Sequence, residues 1–401
     1  ATAGQAGGRL SIVVLPFDSL SDDPAQETFA DGITEDIITD LSGISNLGVI
    51  SSNTAFALKG SQVAGQEIAA KLKVDFVLEG SIRRDKDSVR INVQLVDAET
   101  GLQKWAERYD RRVTEVFEVQ DEVTNSIVET LAIRLTPREE KRLAQQPTSN
   151  LAAYDSFLEG QRLAKMNSQE TNVQAQTAYR KAIESDPGYG RAYGALAYTL
   201  AYSYRRGWSS SPMLTIDRAL ELAEEAVDLS NSIPQTYGAL GYVHLMRKEP
   251  ELAASAVTKA IANAPNFADG YALLALIKYV LGEFESAIEL IRRGKELNPY
   301  YTWDYPYNLG RAYYYLGNID KAIIALEEAR SRNENALPVR LYLAASYARA
   351  GRQEDAEWEA QEIQVLSPAD TVTQQRNTAP IKNREILNIF LEDLRKAGLP
   401  E

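Results

Sequence analysis

The C-terminal half of this chain repeats one spacing of small residues. A Gly or Ala is followed twelve residues later by an Ala in four places: Gly241 and Ala253, Ala275 and Ala287, Gly310 and Ala322, Ala344 and Ala356. The first members of these pairs lie 34, 35 and 34 residues apart. A period near 34 residues is typical of stacked helix-turn-helix repeats, which cannot each bury a core alone. The spacing therefore predicts a helical stack that offers a binding surface instead of a catalytic pocket.

The same pattern predicts six helical hairpins over residues 151–368. Pro265, Pro299 and Pro368 follow three of the later units, where a proline stops the second helix so that the chain can reverse. The second unit carries 22 residues, instead of twelve, between Ala197 and Ala219, so we expect an extra loop there. An amphipathic segment over 381–396 predicts a helix that caps the open end, within a C-terminal segment over 369–401.

The N-terminal third has a different pattern. Short apolar runs over 11–17, 47–51, 75–84, 88–97 and 102–109 predict strands, and apolar residues at helical spacing over 27–41, 62–72 and 116–135 predict helices. Strict alternation over 88–97 favours a half-exposed antiparallel strand. We therefore expect a flexible linker over 1–10, an α/β domain with a mixed sheet over 11–136, and a second linker over 137–150.

The repeat residues resemble those of the tetratricopeptide repeat family. In one unit the matching positions are Tyr237, Leu240, Gly241, Ala253, Val257, Ala260 and Pro265. The next unit repeats them as Tyr271, Leu274, Ala275, Ala287, Ile291, Gly294 and Pro299. The resemblance implies an all-α tetratricopeptide superhelix, which we expect to bind a protein or peptide partner.

The N-terminal domain resembles the TolB-like amino-terminal domain. The resemblance rests on four segments: 29–36 (FADGITED), 76–84 (FVLEGSIRR), 93–101 (VQLVDAETG) and 105–110 (WAERYD). That module precedes tetratricopeptide repeats at the C-terminal end of bacterial class III adenylate cyclases, and it follows winged-helix domains in membrane-bound regulators. The resemblance implies an accessory, sensory or scaffolding role, and it carries over no catalytic residue.

Charge and composition exclude several classes of function. The net charge of −13 argues against nucleic acid as the main partner and disfavours adhesion to an anionic membrane. The absence of cysteine excludes disulfides and thiol catalysis. No apolar run is long enough to span a bilayer, so we expect membrane association only through an anchor upstream of Ala1. The cyclase-like arrangement implies a periplasmic location, while a cytoplasmic one stays open, as does homo-oligomer formation.

Few residues are arranged for chemistry. Asp31, Glu35, Asp36 and Asp40 lie four apart in two pairs on one predicted helix, which is compatible with a cation or basic-partner site but is better explained by an acidic solvent face. His244, the single histidine, is predicted to pack inside a repeat helix. Lys59-Gly60-Ser61 lacks the rest of a phosphate-loop pattern. Basic pairs at Arg83-Arg84 and Arg111-Arg112 are expected to be solvated strand edges. We expect no catalytic, cofactor or metal site.

Tyrosine gives the clearest functional signal, because 18 of the 21 tyrosines lie between Tyr189 and Tyr347. Tyr and Arg are enriched in interface hot spots. The alternative is an unusually aromatic repeat core. The residues predicted to line a concave groove and bind a partner are Tyr198, Tyr202, Tyr242, Tyr279, Tyr307, Arg311, Tyr314 and Tyr315.

Three functions remain open at this point. The first is a non-enzymatic interaction scaffold or sensor that binds a protein or peptide in the Tyr-rich groove. The second is the regulatory part of an adenylate cyclase or of a membrane-bound transcription regulator whose output domain is absent from this chain. The third, an enzyme with its active site in the α/β domain, is the weakest because no nucleophile and base are arranged together.

Overall fold

The computed structural model describes residues 9–21, 23–378 and 384–401, arranged as two compact units. The first unit contains Ala1–Gly270 and Leu297–Pro299, and the second contains Tyr271–Glu296 and Tyr300–Glu401. Residues 1–8 of the predicted linker and residues 381–383 of the predicted last helix lie outside the described residues. The predicted fold class is confirmed: an α/β domain with a mixed sheet precedes tetratricopeptide-like helical hairpins.

The sheet of the α/β domain runs in the order β3-β1-β4-β5-β6, with the short β2 beside β4. Its strands are β1 (Leu10–Val14), β2 (Asp18–Ser19), β3 (Leu47–Val49), β4 (Phe76–Arg84), β5 (Ser88–Asp97) and β6 (Gln103–Arg112). Strand β1 is parallel to β3 and β4, while β4, β5 and β6 form an antiparallel meander. Val89, Ile91, Val93 and Leu95 are buried on one face of β5, as the alternating pattern predicts.

Five helices accompany this sheet: α1 (Pro24–Ser42), α2 (Ser52–Ala57), α3 (Gly65–Leu72), α4 (Val116–Thr130) and α5 (Pro137–Leu143). Helix α4 is shorter than predicted, and Ala132 beyond its end has a φ of 50°. Helix α5 lies inside the segment predicted as a linker. It forms because Thr136 and Glu139 make a reciprocal capping box and Pro137 is compatible with the first helical turn.

Twelve helices form six antiparallel pairs between residues 151 and 368, a range that is described throughout. The pairs are α6 (Leu151–Lys165) with α7 (Gln169–Ser185), α8 (Gly190–Arg206) with α9 (Pro212–Leu229), α10 (Pro234–Met246) with α11 (Pro250–Asn263), α12 (Ala268–Leu281) with α13 (Phe284–Leu297), α14 (Asp304–Tyr315) with α15 (Ile319–Arg332), and α16 (Leu337–Arg349) with α17 (Gln353–Leu366). The predicted extra loop between α8 and α9 is reduced to 207–211, because part of the insertion lengthens these helices to 17 and 18 residues.

The repeated small residues lie where the two helices of a hairpin touch. A Cβ on Gly241 would come within 2.3 Å of Val257 Cγ2 and 3.2 Å of the Ala253 carbonyl oxygen. Gly310 has the same relationship to Leu326 and Ala322, at 2.5 and 3.2 Å. The twelve-residue spacing is therefore a packing requirement, because a larger side chain on the first helix would separate the pair.

The last hairpin is covered by a C-terminal helix in the second unit. After the short α18 (Val372–Thr378), α19 (Arg384–Lys396) packs on α16. Phe390 is buried and stacks on Tyr342, with ring centroids 4.5 Å apart. In the described parts of the chain, none of the helices combines the length and apolarity needed to cross a membrane.

Candidate partner-binding surfaces

A buried polar cluster joins the α/β domain to the first hairpins inside the first unit. Asp36 of α1 accepts from Arg191 Nη1 of α8 at 2.6 Å and from the Tyr154 hydroxyl of α6 at 2.6 Å. Gln120 of α4 donates to the same carboxylate at 3.1 Å. Burial and the Asp36 carboxylate raise the pKa of the Tyr154 phenol. Burial acts to lower the pKa of Arg191, but the charge of Asp36, its hydrogen bond and the neighbouring phenols Tyr189 and Tyr154 together raise that pKa.

Further bonds continue this contact along the edge of the hairpins. Arg84 of β4 makes a two-pronged ion pair with Asp155 of α6, at 2.7 and 2.9 Å. The Asn266 side-chain amide donates to the carbonyl oxygens of Ser42, Ile44 and Leu47. In the first unit, one edge of the hairpins is therefore occupied by the chain's own α/β domain and is closed to a partner.

Three of the predicted groove residues lie in the first unit, and only part of that set is exposed. Tyr198 is 46% exposed and stacks on the half-buried Tyr202, with ring centroids 6.5 Å apart. Tyr202 also contacts Trp208 of the extra loop edge-to-face at 5.7 Å. The Tyr242 ring packs against the Tyr198 ring, with centroids 4.5 Å apart, and Tyr242 is 4% exposed. Tyr242 is thus a packing residue in this structure.

Two arginines that were not predicted as site residues complete this surface. Arg205 and Arg206 end α8 and are exposed, and Arg206 lies over the Trp208 ring at 5.1 Å. The insertion in the second unit is the sequence signal that points to them, because it places Arg-Arg-Gly-Trp shortly after Tyr198 and Tyr202. We call Tyr198, Tyr202, Arg205, Arg206 and Trp208 the aromatic ledge.

The other predicted groove residues lie in the second unit and form a mostly buried cage. Arg311 is 5% exposed, and its guanidinium lies 3.9 Å from the Tyr279 ring and 4.3 Å from the Tyr307 ring. Tyr342, which was not predicted, links Tyr279 and Tyr315 by hydroxyl contacts of 2.9 and 3.0 Å. The cage is an intramolecular cation–π arrangement that stabilises the stack, with Tyr307 and Tyr315 half-buried at its margin.

Tyr314 is fully buried, against the expectation that it faces a groove. Its hydroxyl donates to Asp393 of α19 at 2.6 Å, and Arg349 contacts both groups. The prediction placed neighbouring residues Tyr314 and Tyr315 on one face, but consecutive helical residues point about 100° apart. Tyr314 therefore points toward the capping helix instead.

The acidic cluster on α1 is divided among different partners and is not a single solvent face. Asp31 pairs with Lys59 at 2.6 Å, Glu35 with Lys165 at 3.3 Å, and Asp36 is buried against Arg191. The expectation of an acidic face is wrong at Asp36 because the hairpins cover that side of α1. Among the residues that the structure describes, no group of three or more His, Asp or Glu side chains is placed to hold a metal ion.

The other residues considered in the sequence analysis lie in ion pairs with nearby carboxylates. His244 Nδ1 lies 2.7 Å from Glu249, and Lys59 is held by Glu27 as well as Asp31. The basic pairs also have carboxylate neighbours, namely Asp85 for Arg83, Asp155 for Arg84, Glu122 for Arg111 and Glu115 for Arg112.

Comparison with known families separates the two parts of the chain. Models of the tetratricopeptide repeat match residues 239–302 and 307–336. The hairpins in these two ranges are tetratricopeptide repeats (TPRs), and the full series of hairpins is TPR-like. A model described as the second domain of HilA/YgeH-like transcriptional regulators matches residues 8–127. The TolB-like assignment is not confirmed by this match and stays a prediction.

Solved structures resemble parts of this chain at low sequence identity. A thermophilic TPR protein of Thermus thermophilus is 19% identical, with a TM-score of 0.40, and the match covers 49% of this chain and 98% of that protein. Pseudomonas aeruginosa PilF is 17% identical with a TM-score of 0.45, covering 61% of this chain and 99% of that one. A TPR fold is typical of protein-interaction scaffolds and of binding to protein or peptide partners.

A curated relative extends beyond this chain. The "Putative adenylate cyclase 3" of Rhizobium meliloti (strain 1021) is 40% identical over 236 residues, which are 59% of this chain and 40% of the relative. The chain therefore spans about two fifths of the length of that curated relative in the matched part.

Proposed function

We propose that this chain is a non-catalytic interaction and sensing module whose aromatic ledge binds a protein or peptide segment that carries carboxylates. The observation that supports this most is the ledge itself. Tyr198, Tyr202 and Trp208 form one continuous ring surface, and Tyr198 has 46% of its area exposed. Aromatic rings with adjacent arginines are the composition enriched at binding hot spots.

The charge of the ledge favours an acidic occupant. Arg205 and Arg206 are exposed beside the rings, in a chain whose net charge is −13. A segment with apolar side chains for the rings and carboxylates for the two guanidinium groups would match both features, since arginine pairs well with carboxylates.

The test starts from native affinity purification with the whole chain, followed by mass spectrometry and a titration with the partner found. The double variant Tyr198→Ala/Tyr202→Ala should weaken binding about 10-fold or more, because hot-spot aromatics each contribute on the order of 2 kcal/mol. Tyr300→Ala is the matched control, since Tyr300 has a similar exposure of 44% and lies outside the ledge. Equal affinity of the ledge variant and the control would reject the ledge as the binding surface.

A second function is favoured by one observation, the 40% identity to the adenylate cyclase relative. In this arrangement the chain is the regulatory part of a cyclase, and the ledge or the α/β domain receives the signal. The match to a regulator second domain supports the related alternative of a membrane-bound transcription regulator. The coding sequence upstream of Ala1 distinguishes them: a cyclase domain, a winged-helix domain, or neither, which would reject both.

The compartment is part of the same proposal. A periplasmic location follows from the cyclase-like arrangement, in which this part lies across the membrane from the output domain. Fusions of the full-length protein to alkaline phosphatase and to β-galactosidase test it. Phosphatase activity alone supports the periplasm, and galactosidase activity alone would place the module in the cytoplasm.

A further inference from the structure

A cleft of about 370 Å³ lies inside the first unit, away from the aromatic ledge. One wall is α5, and the opposite wall is formed by the loop that follows α9, with Asn231 and Ser232, and by the C-terminal end of α11, with Asn263. The turn after α1, with Gly43 and Ser45, closes a third side. Its volume is within the range of sites that hold small molecules.

The cleft is basic in an otherwise acidic chain. Arg138, Lys141 and Arg142 line it, and their spacing of three and four residues places them on one side of α5. Arg138 donates to the Asn263 side-chain oxygen and Arg142 to the Asp40 carbonyl oxygen, which are both neutral acceptors. Within the described part of the chain, none of these three side chains forms a salt bridge.

Glu139, the single carboxylate in the described lining of the cleft, is already hydrogen-bonded to backbone groups. Glu139 accepts from the backbone N–H groups of Ser45 and Thr136, each at 2.7 Å, so its two oxygens hold the α1 turn and the start of α5. Those bonds keep the pKa of Glu139 below its ordinary value even though burial acts to raise it. The carboxylate is thus directed at backbone groups and does not neutralise the three cations.

Arg142 is partly buried and forms no salt bridge among the described residues. Its guanidinium packs where Gly43 has no side chain: a Cβ there would lie 2.0 Å from Arg142 Cζ. Its Nε atom is buried and has no hydrogen-bond partner among the described residues. Burial lowers the pKa of Arg142 in spite of Asp40 and Glu139 nearby. A bound anion would reduce the cost of this partial burial, because it would accept a charge-assisted hydrogen bond from the guanidinium.

We propose that this cleft binds a small phosphate-bearing ligand, with Arg138, Lys141 and Arg142 contacting the phosphate. Asn231 and Ser232 lie on the opposite wall, where the Ser232 hydroxyl donates to Gln145 Oε1. Because α5 belongs to the α/β side and the loops belong to TPRs, a bound phosphate would contact both.

Isothermal titration of the whole chain with inorganic phosphate at constant ionic strength tests the site. We expect saturable one-to-one binding, weakened about 10-fold or more in Arg138→Gln/Lys141→Gln, since each charge-assisted hydrogen bond that is lost lowers affinity by about that factor. Arg83→Gln/Arg111→Gln removes the same charge from the α/β domain outside the cleft and should bind like the wild type. Circular dichroism of each variant checks that it is folded.

A further variant leaves every charge in place. Gly43→Ala should reduce phosphate affinity by displacing the Arg142 guanidinium. Absence of binding at about 20 mM phosphate, far above the concentration for a weak site, would overturn the proposal. So would equal losses in the two double variants, or saturable binding of succinate without binding of phosphate, which would identify a carboxylate site instead.

Discussion

Arg191 of α8 donates to Asp36 of α1 at 2.6 Å, and both residues are more than nine-tenths buried. The pair lies 155 residues apart in the sequence and joins the α/β domain to the second TPR within the first unit. A buried ion pair is costly to form but more costly to break, because the remaining charge is left without a partner. The pair therefore specifies how the domain packs on the hairpins.

Removing one member of this pair should destabilise the first unit. We expect Asp36→Ala and Arg191→Met each to lower the free energy of unfolding by about 3–5 kcal/mol, measured by urea denaturation. The double variant Asp36→Leu/Arg191→Met should lose less than the sum of the two. Arg218→Ala, which breaks an exposed pair with Glu221, is the control and should change stability by less than about 1 kcal/mol. Additive losses in the double variant would contradict the coupling.

Asp40 should make stability depend on pH. Burial raises the pKa of Asp40 from 3.8 to about 7, with Arg142 opposing the shift and Asp36 and Asp121 adding to it. The folded chain therefore binds a proton more tightly than the unfolded chain, so the stability from Asp40 is complete below about pH 4 and is lost as pH rises to about 7.

The variant Asp40→Asn should remove that loss. We expect it to match the wild type near pH 4 and to exceed it by about 1–4 kcal/mol at pH 8, measured by denaturation across the range. Asp85→Asn, on an exposed turn, should leave the profile unchanged. Parallel profiles of wild type and Asp40→Asn would show that Asp40 titrates as an ordinary carboxyl.

Two glycines in α10 should respond differently to the same substitution. Gly241→Ala places a Cβ 2.3 Å from Val257 and 3.2 Å from a backbone oxygen, so we expect a loss of about 1–2 kcal/mol after the gain in helix propensity. Gly238→Ala meets nothing closer than 3.4 Å and should be neutral or stabilising by up to about 1 kcal/mol. Thermal unfolding distinguishes the two variants, and similar shifts would contradict the packing argument.

The capping helix should depend on Asp393. This side chain is 4% exposed and accepts from Tyr314 and from Arg349 Nε, each at 2.6 Å. Asp393→Ala should cost about 2–4 kcal/mol and release α19, seen as faster amide exchange over Arg384–Lys396. Glu392→Ala, at the exposed neighbouring position, should leave that exchange unchanged. Retained protection in Asp393→Ala would show that apolar packing alone holds the cap.

Residues that act through local spacing were predictable. Gly241 and Ala253, or Gly310 and Ala322, identify a hairpin because the two helices are adjacent in the sequence and must touch. The alternation over β5 gave its buried face for the same reason. Helix α5 was missed, although Thr136, Pro137 and Glu139 form a start signal, because the segment around them is polar.

The burial and pairing of the aromatic and charged side chains could not be predicted from local spacing. Tyr198 and Tyr242 have the same side chain on neighbouring TPRs, yet one is 46% and the other 4% exposed. In the sequence Asp36 does not differ from the three carboxylates near it, whereas in the structure the hairpins bury it against Arg191. Arg138 and Arg142 line one cleft because residues after α9 and at the end of α11 lie opposite α5, which the sequence does not reveal.

The amino-acid order alone determined that the chain has an α/β part followed by TPRs, because strand alternation and helix-pair packing act over at most about 34 residues. Tertiary structure alone decided which polar groups are buried, paired or left to meet a ligand. Burial removes water from a charge and makes its nearest neighbour decisive, and for Asp36 that neighbour is 155 residues away.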